Sequence, residues 1–265
     1  MKLQVLSDLH NEFLRTGKRV ASHRWKGEIP ASDADVVVLA GDIDTGLCGV
    51  EWMLKEAARL GKPIVYVLGN HEFYGHEYFF LKQAISDQCK HTDVHLLDAG
   101  CFELNNVRIL GVTLWTDYAG DINIPGDLAM HYAQQNLADH QVIAYKPAAQ
   151  CLEFKPPHAL VLHEKEKHWL ISQLTKPYRG KTVVVSHHAP HWVCNHPGFP
   201  NSPLGPAFYS NLDALFLAHD IDLWIYGHTH ANLDTVIGKT RVVSNQAGYP
   251  GEDVKGFDPG FLVEV

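Results

Sequence analysis

Paired cysteines, long apolar runs and an excess of basic charge are all missing from this chain. Its five cysteines (Cys48, Cys89, Cys101, Cys151 and Cys194) are odd in number, scattered, and form no Cys-x-x-Cys pair. That argues for free thiols in a reducing compartment rather than a disulfide framework. No stretch approaches the length needed to span a membrane. The opening Met1-Lys2-Leu3-Gln4-Val5-Leu6 is too short an apolar run for a secretory leader and leads directly into Asp8. Basic residues are outnumbered, 22 Lys and Arg against 30 Asp and Glu, for a formal charge of −8. Proteins that track a nucleic-acid backbone usually carry basic surface, so no extended nucleic acid is expected as partner. A small phosphorylated ligand stays open, because bound metal ions would supply positive charge. With no linker, repeat or low-complexity segment either, residues 1–265 read as one domain of a cytoplasmic protein.

What is present is a globular composition, 46% hydrophobic and 20% charged over 265 residues, enough to bury a sizeable core. Short β-branched or aromatic runs at 3–6, 35–40, 64–68, 182–185 and 223–226 have the length of fully buried strands, and each stops at a glycine or serine. Residues 50–60 read as a helix closed by Gly61 with Pro63 just beyond, and 158–174 and 211–218 read as helices in the same way. This β-α-β-α rhythm predicts parallel strands with helices on their faces. Further strands at 94–97, 101–104, 107–112, 235–237, 241–244 and 261–263 are closely spaced, and Asn105-Asn106 and Gly238-Lys239 look like two-residue hairpin turns. Mixed sheets are therefore expected. Residues 118–157, with several prolines and glycines and a helical stretch around 127–138, form an excursion, either a surface loop or a partial lid.

Chemistry gathers at the ends of the apolar runs. Asp8-Leu9-His10, Gly41-Asp42, Gly69-Asn70-His71-Glu72, His187-His188 and Gly227-His228-Thr229-His230 follow one another along the chain. In open α/β sheets the ligand site lies beyond the carboxyl ends of the strands. Singly the motifs are weak, since an Asp-x-His or a histidine beside a strand end is commonplace in a chain with 18 histidines. Together they deliver metal-competent side chains at every strand end, and burying such groups without a partner would cost on the order of several kcal/mol each. Oxygen and imidazole donors mixed in this way suit Mn, Fe or Zn. A pair of such ions is the machinery of in-line displacement at phosphorus.

In this order the motifs resemble the calcineurin-like metallophosphoesterases. The resemblance covers nearly the whole chain, from Asp8 to Asn245-Gln246-Ala247-Gly248-Tyr249, which is similar to the Asn-x-x-Gly-Tyr segment near the end of many bacterial members. It implies a four-layer α/β/β/α sandwich of two mixed sheets flanked by helices, with a dinuclear centre at the rim. Asp8, His10 and His230 would hold one ion and Asn70, His187 and His228 the other, with Asp42 and a water or hydroxide bridging them. Mn or Fe are the expected occupants, with Zn as an alternative. The bridging hydroxide would attack phosphorus in line, and His71 would reach the phosphoryl group or the leaving oxygen rather than a metal. Glu72 is expected to anchor its turn, with an orienting role toward His71 left open. His188 is expected behind the ligands or facing substrate.

The motif Gly41-Asp42-Ile43-Asp44-Thr45-Gly46 departs from the protein Ser/Thr phosphatase pattern, which has Asp and Arg where Thr45 and Gly46 stand. The arginine that grips phosphate in that branch is missing, so a small-molecule phosphodiesterase is expected. The alternatives are a phosphomonoesterase, a nuclease of the same fold, and a non-catalytic scaffold. Trp115, Tyr118, His191, Trp192, Phe208 and Tyr209 are candidates to line the substrate pocket or, equally, to pack ordinarily. His76, His163 and His168 read as helix-surface or lid residues.

Overall fold

The computed structural model describes residues 1–17, 23–120, 123–146 and 152–265. In chain order the elements are β1 (Lys2–Leu6), α1 (Asn11–Arg15), β2 (Val36–Leu39), α2 (Cys48–Leu60), β3 (Ile64–Tyr66), α3 (Tyr78–Cys89), β4 (Val94–Leu96), β5 (Gly100–Leu104) and β6 (Val107–Val112). The excursion then contributes α4 (Gly126–Asn136), α5 (Asp139–Val142), β7 (Ala144–Tyr145) and β8 (Leu152–Glu153). The chain returns through α6 (Pro156–Leu174), β9 (Lys181–Ser186), α7 (Asp213–Ala218), β10 (Leu223–Ile225), β11 (Asp234–Ile237), β12 (Thr240–Val243) and β13 (Leu262–Glu264).

Two mixed sheets carry the architecture. One has the order β13-β1-β2-β3-β4 and the other β11-β12-β10-β9-β6-β5. In each, the strands that end in the chemical motifs run parallel: β1 beside β2 beside β3, and β9 beside β10. The hairpins are antiparallel, with Asn105 (φ 50°) and Asn106 (φ 61°) both left-handed in the turn between β5 and β6. That is the geometry a two-residue turn needs to match the twist of its strands.

Alternation along the strands divides the core into layers. Leu3, Val5, Val36, Val38 and Val65 face Ile109, Val183, Val185, Ile225 and Val243 across the gap between the sheets. The opposite face of the first sheet, with Leu6, Val37, Leu39, Ile64 and Tyr66, packs on Val50 and Met53 of α2 and Leu81 and Ile85 of α3. The opposite face of the second, with Leu110, Val184 and Trp224, packs on Leu170 of α6 and Leu215 and Phe216 of α7. The layers are helix, sheet, sheet, helix, as the resemblance implies.

Two sequence expectations change. Helix α3 has no counterpart among the helices read from sequence, because Phe79 and Phe80 point outward, Phe80 76% exposed, and blur the apolar stripe. Within the 118–157 excursion, Ala129, Ala133, Ile143, Tyr145 and Phe154 lie buried in one cluster with Tyr78 and Trp115. His163, expected on a helix surface or lid, is fully buried and its Nδ1 lies 2.7 Å from the Leu114 carbonyl. His76 and His168 are exposed. Cys48, Cys89, Cys101 and Cys194 are free thiols, and Cys151 falls outside the described residues. Among the described residues no helix is long and apolar enough to cross a membrane.

Candidate metal centre

Each chemical motif begins where a strand stops pairing, and the backbone there is unusual. Asp8 (φ 52°), His10 (φ 48°), Asp42 (φ 55°), His228 (φ 71°) and His230 (φ 48°) are all left-handed without being glycine. Such residues cost about 1–3 kcal/mol each and persist where the surroundings hold them. Here the strand ends are laced together: Asp8 N–H donates to the Gly41 carbonyl (3.0 Å), His10 N–H to Asp42 (3.1 Å) and Gly227 N–H to His187 (2.9 Å). Two glycines permit the crowding. At Gly41 (φ +91°) a Cβ would run into the His187 ring, and at Gly69 it would meet the Asp42 carboxylate and lie 2.6 Å from its backbone nitrogen.

The result is two adjacent clusters. Asp8, His10 and His230 bring ligand-type atoms within 4.8 Å of one another, and so do Asp42, His187 and His228. The Asn70 Oδ1 atom lies 3.0 Å from His187 Nε2. Asp42 stands between the clusters, with Oδ1 3.4 Å from His187 Nε2 and Oδ2 3.9 Å from His10 Nε2. All seven side chains expected at the metals are therefore brought together. His71 also comes close, its Nε2 4.0 Å from Asp42 Oδ2, and forms a third grouping with His10 and Asp42.

The electrostatics of these side chains fit a bound cation. Burial, followed by the neighbouring Glu72 and Asp8 carboxylates, pushes Asp42 well above the usual carboxylate range. That marks negative charge with too little local compensation. Burial also holds His187 and His228 below the ordinary imidazole value, His228 far below. Burial and then His71 bring His10 down to about 4. Neutral imidazoles have a lone pair to give, and the buried His228 Nε2 has no hydrogen-bond partner. Asp8 differs: burial opposes its charge, but the hydrogen bond and charge of His230 outweigh that and hold it at about 2. His230 is raised to about 9, with Asp8 and Glu252 outweighing its burial. A metal would replace that proton.

Outer groups aim the rings. His10 Nδ1 lies 3.1 Å from Glu12 Oε1, His230 Nδ1 2.6 Å from Glu252 Oε2, and His187 Nδ1 2.8 Å from the Ala40 carbonyl. An acceptor at Nδ1 places the proton there and leaves Nε2 free to coordinate. His71 is held the same way, Nδ1 3.0 Å from Glu12 Oε1 and Nε2 2.8 Å from the Tyr249 hydroxyl, with Tyr74 stacked on its ring at 4.1 Å. Glu72 accepts from the backbone N–H groups of Gly69 (2.7 Å), Ile43 (2.9 Å) and Asp42 (3.2 Å). It anchors two turns at once, and the carboxylate on His71 is Glu12.

Sequence reasoning missed Glu12, Tyr74, Asp139 and Glu252 as members of the site. Glu12 follows His10 by two positions and Tyr74 follows Asn70 by four, but neither sits on a recognisable motif, and Asp139 and Glu252 reach the site only through the fold. His188 is buried behind the clusters, its ring 4.0 Å from His228 and 5.2 Å from Trp115. Of the six candidate pocket residues, Phe208 stacks on His228 at 4.8 Å. Trp115, Tyr118 and Tyr209 are core, His191 bonds Asp213, and Trp192 is exposed.

The chain is similar over nearly its full length to proteins of varied source. Uncharacterized protein L509 of Acanthamoeba polyphaga mimivirus is 23% identical over 279 residues, spanning 99% of this chain and 96% of the relative. Phosphopantetheinyl hydrolase from Mycobacterium tuberculosis superposes with a TM-score of 0.73 at 16% identity, covering 100% of this chain and 95% of that one. A putative 5'-nucleotidase from Staphylococcus aureus gives 0.52 at 15% identity over 93% of this chain and 49% of its own. These likenesses concern the fold. The family model of the calcineurin-like phosphoesterases matches residues 1–232. The chain belongs to that family, whose members are metal-dependent hydrolases of phosphate esters.

Proposed function

We propose that the protein is a dinuclear phosphodiesterase acting on small molecules, as a single cytoplasmic domain using Mn or Fe. The observation that carries the reading is the charge around the centre. The partners of the seven metal-competent side chains and His71 are one another, backbone groups, hydroxyls and the carboxylates of Glu12, Asp139 and Glu252, with Glu72 on the backbone N–H of Asp42. None of these hydrogen bonds comes from a lysine or arginine; Arg15, the nearest in sequence, is taken up by Asp44 and Thr45. A monoester dianion would meet this wall of carboxylates with nothing but the metals to hold it. A diester, carrying one negative charge, suits it better.

Asp8, His10 and His230 would hold one ion, Asn70, His187 and His228 the other, and Asp42 both. Two such ions supply Lewis acidity toward phosphoryl oxygens and a water that ionises near neutral pH. The remaining chemistry falls to the chain. Glu12 Oε1 holds His71 by Nδ1, which sets the ring so that Nε2 would face a departing oxygen. Phe208 and Tyr249, packed over His228 and His10, exclude water from the two sides of the site. Two of the solved relatives are named for phosphopantetheinyl and nucleotide chemistry, which accords with a small substrate.

The test is hydrolysis of bis-p-nitrophenyl phosphate beside p-nitrophenyl phosphate, on metal-stripped protein with Mn²⁺ restored. Faster, metal-dependent turnover of the diester is expected. A clear preference for the monoester, or no turnover of either with Mn²⁺ bound, would overturn the reading.

A further inference from the structure

The two ends of an asparagine side chain are alike in size, yet only the oxygen can ligate a divalent cation. Something must decide which end of Asn70 faces inward. Its Oδ1 lies 3.0 Å from His187 Nε2, on the metal side. Its Nδ2 donates to Asp139 Oδ1 at 2.8 Å and to the Tyr74 hydroxyl at 3.1 Å. The Tyr74 hydroxyl donates to the same Asp139 oxygen at 2.6 Å, which leaves its own lone pair for Asn70. A carboxylate only accepts, so it can pair with the NH₂ end of an amide and never with the oxygen. Every donor and acceptor in this triangle is matched, and inverting Asn70 would set oxygen against oxygen.

We propose that Asp139 is a positioning residue for the second metal, fixing the Asn70 amide with its oxygen inward and making α5 part of the metal centre. This rests on the dinuclear reading given above. Asp139 opens α5, 69 positions from Asn70 in the chain, and is 6% exposed. The segment is pinned by Gly75 N–H to the Val142 carbonyl (3.1 Å) and by Ala144 N–H to the His76 carbonyl (2.9 Å). Ile143, Tyr145 and Phe154 anchor it in the core. Donation from Nδ2 to a carboxylate also polarises the amide and makes its oxygen a better ligand.

The experiment compares Asp139→Asn with Asn70→Ala by equilibrium dialysis against Mn²⁺ and by electron paramagnetic resonance of the coupled ion pair. Asp139→Asn keeps the shape but can donate to Asn70 Oδ1 and so lets the amide invert. One ion is expected to bind it as tightly as the parent, and the second about 10–100-fold more weakly, with the coupled signal lost at two equivalents. If Asn70→Ala loses the second ion while Asp139→Asn binds both normally, the proposal is overturned and the dinuclear reading stands. If Asn70→Ala also binds both normally, Asn70 is no ligand and both fall. Should Asp139→Asn not fold, exchange of the Asn70 side-chain amide protons in the Zn²⁺-loaded parent, followed by nuclear magnetic resonance, decides the matter. Slow exchange supports burial against Asp139, and exchange at the rate of a free amide overturns it.

Discussion

Glu12 shows how much one side chain can organise. Its Oε1 accepts from both His10 and His71, while its buried Oε2 has no partner. Burial would raise its pKa, but the hydrogen bonds of the two histidines outweigh that and hold it at about 2, so it stays ionised wherever an imidazole can act. By holding His71 at Nδ1, Glu12 sets the ring with Nε2 turned to where a leaving oxygen would sit. Glu12→Gln keeps an acceptor and loses the charge. On a diester with a poor leaving group its turnover is expected to fall about 10–100-fold, with a much smaller loss on the bis-nitrophenyl ester, whose leaving group needs no proton. His71→Ala should show the same dependence while retaining metal. If Glu12 acts through His71, the double variant is no slower than His71→Ala alone. Additive losses, measured with Mn²⁺ content equal in all four proteins, would separate the two residues and sink the coupling.

At the scale of elements, legibility followed distance along the chain. Asp8, Asp42, Asn70, His187 and His228 were readable because each stands within a few positions of an apolar strand that announces it. Asp139 and Glu252 meet Asn70 and His230 only after the sheets have assembled, and nothing local marks them. The same limit hid the grip of α6 on the end of β6. There Leu114 (φ 72°) and Trp115 (φ 36°) are left-handed, and α6 holds the turn with Glu166 accepting from Leu114 N–H (2.5 Å) and His163 bonding the Leu114 carbonyl. Burial lifts Glu166 from an ordinary value near 4.5 to about 8. Between those values the folded chain holds a proton that the unfolded chain has released. The contribution of Glu166 is therefore complete below 4.5 and lost as pH rises toward 8, at up to about 1.4 kcal/mol per pH unit. Glu166→Gln keeps the acceptor for Leu114 and cannot ionise. Urea unfolding at pH 5 and pH 8 should show the variant gaining on the parent as pH rises. A difference that is flat with pH would mean that Glu166 is ionised in the folded protein.

For the molecule as a whole, the centre is a liability until it is filled. The sheets meet at an edge where Asp8, Asp42, His187 and His228 are buried side by side, with Asp42 short of a compensating charge and five residues of the surrounding motifs held in left-handed backbone. When no ion is present, the apolar packing of the four layers and the hydrogen bonds between strand ends must hold this arrangement together. Since the unfolded chain cannot present the clustered donors, an ion that binds the folded form stabilises the whole by mass action. At a hundredfold excess over the dissociation constant the gain is roughly 2.7 kcal/mol per site, or roughly 5–10 °C in Tm for a chain of this size. Metal-stripped protein titrated with Mn²⁺ in a calorimeter should therefore melt at steadily higher temperature as Mn²⁺ is raised, without the plateau that a merely structural salt effect would give. Asp42→Asn removes the carboxylate shared by both clusters. Its stripped form should match or exceed the parent in Tm, because a buried charge is gone, and Mn²⁺ should then move it little. A full Mn²⁺-dependent shift in Asp42→Asn would mean that the clusters bind independently and that Asp42 bridges nothing.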